Sequence, residues 1–83
     1  MNKAEAHHVL PVKFNKWFTE RGINNIHDPR FGTWVDKISH QKWSYEYNKL
    51  WETFRENNYY ASPEEIIDFA KGLAKKYGFD LDF

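Results

Sequence analysis

Eighty-three residues without a cysteine make one domain that no disulfide staples. Twelve Lys and Arg balance twelve Asp and Glu, which excludes a uniformly basic nucleic-acid binder. No apolar run approaches the roughly 20 residues of a membrane span, and no opening stretch reads as a signal peptide. The neutral total hides an asymmetry. Residues 1–55 hold nine basic against six acidic side chains and all four histidines, whereas residues 56–83 hold three against six. A local surface of the first part can therefore attract phosphate although the whole is neutral.

In chain order, Ala6-His7-His8-Val9-Leu10 is partly β-branched and stopped by Pro11, which predicts a short strand or extended arm. Pro11 suits the first position of a helix, with Val12, Phe14, Trp17 and Phe18 on one face and Gly22 closing it. Residues 23–30 carry turn residues and read as a loop. Residues 31–35 predict a second short strand, in which Gly32 marks a bulge or a close backbone approach. Trp43, Tyr47, Trp51 and Phe54 are spaced four, four and three apart, one stripe of a helix that Ser39 or Ser44 caps and that runs to about Asn57. Ser62-Pro63-Glu64-Glu65 is a capping box with proline at the first helical position. Ile66, Ile67, Phe69, Ala70, Leu73, Ala74 and Tyr77 follow as a wide apolar face, ended by Gly78. The expected fold is α+β and mostly helical.

His7 and His8 are neighbours in an extended segment, so their side chains point to opposite sides. One imidazole is then free to bind a metal while the other faces a water, both within the chemistry of histidine. His40, near a helix start, is the best second ligand, and Asn48 lies two turns further on. Plainer readings stand beside these. The His-His pair also reads as a solvated arm, His40 as a cap or core residue, and His27 as hydrogen-bonded to Asp28. Asn48 reads equally as a solvated polar residue, and the aromatic stripe as core.

The string Ala6-His7-His8-Val9-Leu10-Pro11 resembles the Ala-His-His motif that opens a group of HNH and endonuclease VII-like toxin domains of bacterial polymorphic toxins. The order that follows is similar too: Trp17-Phe18, Arg21-Gly22-Ile23-Asn24, His27-Asp28, His40, Tyr47-Asn48 with Trp51 and Phe54, then Ser62-Pro63-Glu64-Glu65. The likeness runs from about Ala6 to Tyr77. Lipoprotein-borne, Rhs and contact-dependent toxin domains are the members it looks most like. Ser44 stands where many relatives have a second histidine, and their Gly-rich loop before the Trp helix is missing here.

The resemblance implies a ββα-metal (His-Me finger) core with a short hairpin, an inserted helix and a C-terminal amphipathic helix. It implies a single nuclease domain over residues 6–83, preceded by an arm over residues 1–5. Carried over by position, His8 is the general base of a metal-dependent endonuclease. His7, His40 and Asn48 hold one divalent metal, which is Zn, Ni, Mn or Mg. His27, Asn24 and Asn25 are supporting candidates, Asn24 and Asn25 for the middle asparagine of the HNH pattern. Lys13, Arg30, Lys37 and Lys42 are the basic residues nearest these elements and are expected to hold phosphates, which confers little sequence preference. Expected partners are nucleic acid, DNA ahead of RNA, and a cognate immunity protein. The implied setting is bacterial, as part of a larger delivered toxin acting in the target-cell cytoplasm without membrane contact. The alternative from another class is a small helical protein-binding module with structural histidines and no catalysis.

Overall fold

The computed structural model describes residues 3–83. Strands β1 (Ala4–His8) and β2 (Gly32–Asp36) pair antiparallel, and helices α1 (Asn15–Glu20), α2 (Lys37–Asn57) and α3 (Pro63–Tyr77) supply the rest. The protein is thus α+β and mostly helical. Among the described residues no helix is long and apolar enough to cross a membrane.

β1 begins at Ala4, inside the stretch expected to be an arm, because Ala4 and Glu5 pair with Asp36 and Val35. Met1 and Asn2 of that arm lie outside the described residues. The register runs unbroken from Ala4↔Asp36 to His8↔Gly32, so the bulge expected at Gly32 is absent. A Cβ there would make only ordinary contact, 3.6 Å from the Pro29 carbonyl oxygen. Val9 N–H extends the pairing by donating to Phe31 O at 2.8 Å.

The helix expected from Pro11 starts instead as a 3-10 turn over Val12–Phe14 and becomes α-helical only at Asn15. The tighter winding rotates Val12 away from the core face, and Val12 is 49% exposed while Phe14, Trp17 and Phe18 are buried. Gly22 adopts φ 96°, and a Cβ there would meet Pro63 Cγ at 3.2 Å, so the turn after α1 closes directly against the start of α3. Trp17 Nε1–H donates to Tyr59 O at 2.8 Å, tying α1 to the connection between α2 and α3.

β2 feeds α2 without a loop. Asp36 ends the strand and caps the helix, its Oδ2 accepting from Ser39 N–H at 2.9 Å. Neither Ser39 nor Ser44 is the cap, since Ser39 supplies the capped N–H. The aromatic stripe faces the core as spaced: Tyr47 and Trp51 are fully buried, with Trp43 and Phe54 packed at the margin. α3 follows its sequence signals throughout. Ser62 and Glu65 form the reciprocal capping box, Pro63 opens the helix, and Gly78 ends it at φ 74°. Phe54 and Phe69 stack at 4.2 Å, and Trp51 meets Phe69 edge-on at 4.8 Å, which locks α3 onto α2.

Candidate functional site

Strand alternation sends Glu5 and His7 toward α2, on the same inner face as Thr33 and Val35. Ala4, Ala6 and His8 point to the other face, where they are exposed. His7 is only 6% exposed. Rings of His40, Trp43, Tyr47 and Phe79 surround it with centroids 4.6–5.2 Å away.

His40 is the fourth residue of α2, and the cap at Asp36 fixes where it stands over the sheet. Its Nδ1 lies 2.6 Å from Glu5 Oε1, and its Nε2 lies 3.1 Å from His7 Nδ1. The carboxylate accepts only from a protonated Nδ1; with His40 neutral, its Nε2 is the bare nitrogen that accepts from His7 Nδ1–H. His7 Nε2 is then left bare, buried and without a partner. Burial, reinforced by the neighbouring His40 and His8, pulls the His7 imidazole down to about 4. His7 is therefore neutral near pH 7, the form in which imidazole ligates metals.

His8 sits on the open face with Nε2 3.3 Å from His27 Nδ1, the two rings perpendicular. The loop fixes His27 from behind, since Asn25 Oδ1 accepts the His27 N–H at 3.1 Å. The expected His27–Asp28 pair does not form. Asp28 instead accepts from Arg30 N–H at 3.0 Å, capping the 3-10 turn over Pro29–Phe31.

His7, His8 and His40 open onto one cleft of about 310 Å³, shared with Lys13, Ser44 and Asn48. Tyr47 lines it as well, and its hydroxyl donates to Val9 O at 2.5 Å, holding the chain just after the histidine pair. Burial pushes that phenol well above its ordinary range, so it stays protonated. Asn24 and Asn25 line a different hollow with Arg30 and Phe31. Arg30 spreads over the Phe31 ring at 4.9 Å. Lys37 and Lys42 do not line the cleft; Lys37 N–H bonds to Lys3 O at 3.0 Å, and Lys42 acts on Asp36. Of the four basic residues expected to hold phosphates, Lys13 alone faces the cleft.

The fit to a divalent metal is testable on geometry. Two imidazole nitrogens that share one ion at about 2.0–2.1 Å stand about 2.9–3.4 Å apart. The His7 Nδ1 to His40 Nε2 separation of 3.1 Å fits that interval. Glu5 behind His40 is the carboxylate that commonly orients a ligating imidazole. Among the described residues, no group of three His, Cys, Asp or Glu side chains converges as a ready cage. A metal here would have two imidazole ligands, with Asn48 across the cleft as the remaining side-chain candidate.

Glu5 was missed by sequence reasoning, and the signal was present: it lies two residues before His7 and so shares its face of the strand. Comparison with protein-family models, curated proteins and solved structures gives no match. The functional reading rests on the cleft itself and on the motif that opens the chain.

Proposed function

We propose that this chain is a metal-dependent endonuclease domain with His8 as general base, built on a ββα-metal core of β1, β2 and α2. The observation that carries the reading is the Glu5–His40–His7 relay at 2.6 and 3.1 Å, facing the same cleft as His8 and Lys13. The toxin setting, the immunity protein and the preference for DNA over RNA belong to this proposal through the resemblance of the histidine motif.

His7 and His40 would hold the ion, and when bound it supplies positive charge that stabilises the phosphate oxygens during displacement. With His27 Nδ1 accepting from His8 Nε2–H, His8 Nδ1 carries the lone pair. His8 Nδ1 takes the proton of a water attacking phosphorus in line, the bond from phosphorus to the leaving oxygen breaks, and that oxygen takes up a proton from solvent. Lys13 holds a neighbouring phosphate as a point charge. His27 acts through His8 as a positioning residue. Base catalysis of this kind contributes about 10²- to 10⁴-fold.

One observation favours the alternative of structural histidines in a protein-binding module: the relay satisfies most of its own hydrogen bonds without any ion. Purified protein incubated with plasmid or RNA in magnesium, manganese, zinc or nickel separates the two readings. Chelator-sensitive cutting supports the nuclease. Intact DNA and RNA with all four metals would leave the histidines structural.

A further inference from the structure

Because His7 and His8 point to opposite faces of the strand, the four imidazoles fall into two pairs. The buried pair, His7 with His40, is the candidate metal centre; the exposed pair, His8 with His27, carries the base. The exposed pair has nearly the same spacing as the buried one. His8 Nε2 stands 3.3 Å from His27 Nδ1, inside the interval of about 2.9–3.4 Å in which two imidazole nitrogens share one ion. Both residues are exposed, which leaves water free to complete a coordination sphere. The backbone on either side is fixed. Val9, next to His8, donates its N–H to Phe31 O at 2.8 Å, and Asn25 Oδ1 accepts the His27 N–H at 3.1 Å. Ile26, next to His27, is buried in the core. Two imidazoles anchored in this way lose little freedom when an ion joins them.

We propose that His8 and His27 form a second, inhibitory site for a transition-metal ion of the zinc or nickel kind, and that an ion there switches the general base off. The effect on activity rests on the nuclease reading; the binding itself does not. A neutral imidazole carries one proton on its two nitrogens. When His8 Nε2 gives its lone pair to the ion, that proton moves to Nδ1, the nitrogen that must be bare to take a proton from water. His27 Nδ1 already directs a lone pair at His8 Nε2, with its own proton on Nε2, so His27 binds without changing tautomer. No proton is gained or lost overall. Imidazole suits zinc and nickel, whereas magnesium and manganese prefer oxygen donors, so cutting supported by the latter two leaves the exposed pair empty. With zinc the sites fill in order. Glu5 backs His40 at 2.6 Å, while neither His8 nor His27 bonds a carboxylate among the described residues, so the ion on His7 and His40 is the tighter. His8→Ala leaves that first ion in place.

Competition for zinc between the full chain and a chromophoric chelator counts the ions. The wild type is expected to take up two, and His27→Ala and His8→Ala one each. Both side chains are exposed, so an unchanged melting temperature verifies the fold of the variants. Nitrogen NMR of the imidazoles follows the tautomer: the second equivalent of zinc is expected to move the His8 proton from Nε2 to Nδ1. Cutting supported by manganese is expected to fall in step with the second zinc ion. A single ion in the wild type, a second ion that either variant retains, or a His8 proton that stays on Nε2 overturns the proposal. Cutting that survives or rises as the second ion binds overturns it too. Two zinc ions with no cutting in any metal would sink the nuclease reading and leave the second site; manganese-dependent cutting with a single zinc ion that His27→Ala retains would do the reverse.

Discussion

Acidification of the metal-free protein should unfold it through His7. The unfolded imidazole titrates at 6.5 and the folded one at about 4. Between those values the unfolded chain binds a proton that the native state refuses, so the contribution is whole above pH 6.5 and is lost as pH falls toward 4. At pH 5 the loss is the 1.5 units below the unfolded value, about 2 kcal/mol at roughly 1.4 kcal/mol per unit. That is a large share of the stability of a domain this small, which is on the order of 5–10 kcal/mol. It corresponds to a fall in Tm of about 8–16 °C. Urea unfolding at pH 7 and pH 5 in chelator measures it. The control is His7→Gln, whose amide does not titrate. The wild type should lose about 2 kcal/mol more than the variant over this interval. Equal losses in the two proteins would refute the argument that His7 is buried in its neutral form.

Other predictions follow from single contacts. Glu5→Gln removes the carboxylate 2.6 Å from His40 Nδ1 and should weaken metal affinity about 10- to 100-fold in a calorimetric titration, with the fold kept. Trp51→Ala empties a fully buried site against Phe18, Phe54 and Phe69 and should cost about 3–5 kcal/mol by chemical denaturation. Ser62→Ala opens the capping box of α3 and should cost about 1 kcal/mol, read as a lower Tm without loss of metal affinity.

Where local chemistry decides an element, the sequence was enough to read it. α3 announces itself through Ser62, Pro63, Glu65 and Gly78, each acting on backbone groups a few residues away. The α2 stripe was legible for the same reason, but its start was not. Asp36 was hidden at the end of a strand, and the two serines nearby offered equally good caps. Val12 was misplaced because a 3-10 turn and an α-helix begin from the same residues and diverge only in winding. In the site, strand alternation alone was enough to put His7 and His8 on opposite faces. The His7–His40 and His8–His27 contacts span 33 and 19 residues and depend on the hairpin register and on how α2 crosses it. Asp28 drew His27 toward a local pairing in the sequence, yet the turn that Asp28 caps uses its oxygen first. Glu5 was passed over because the strand was expected to begin at Ala6, one residue after it.

The central claim is that His8 removes the proton from the attacking water. Single-turnover cleavage of plasmid and RNA, wild type beside His8→Ala at saturating metal, tests it most directly. Cutting is expected to be chelator-sensitive and to fall about 10²- to 10⁴-fold in His8→Ala while metal affinity is retained. Cutting by His8→Ala at the wild-type rate would contradict it.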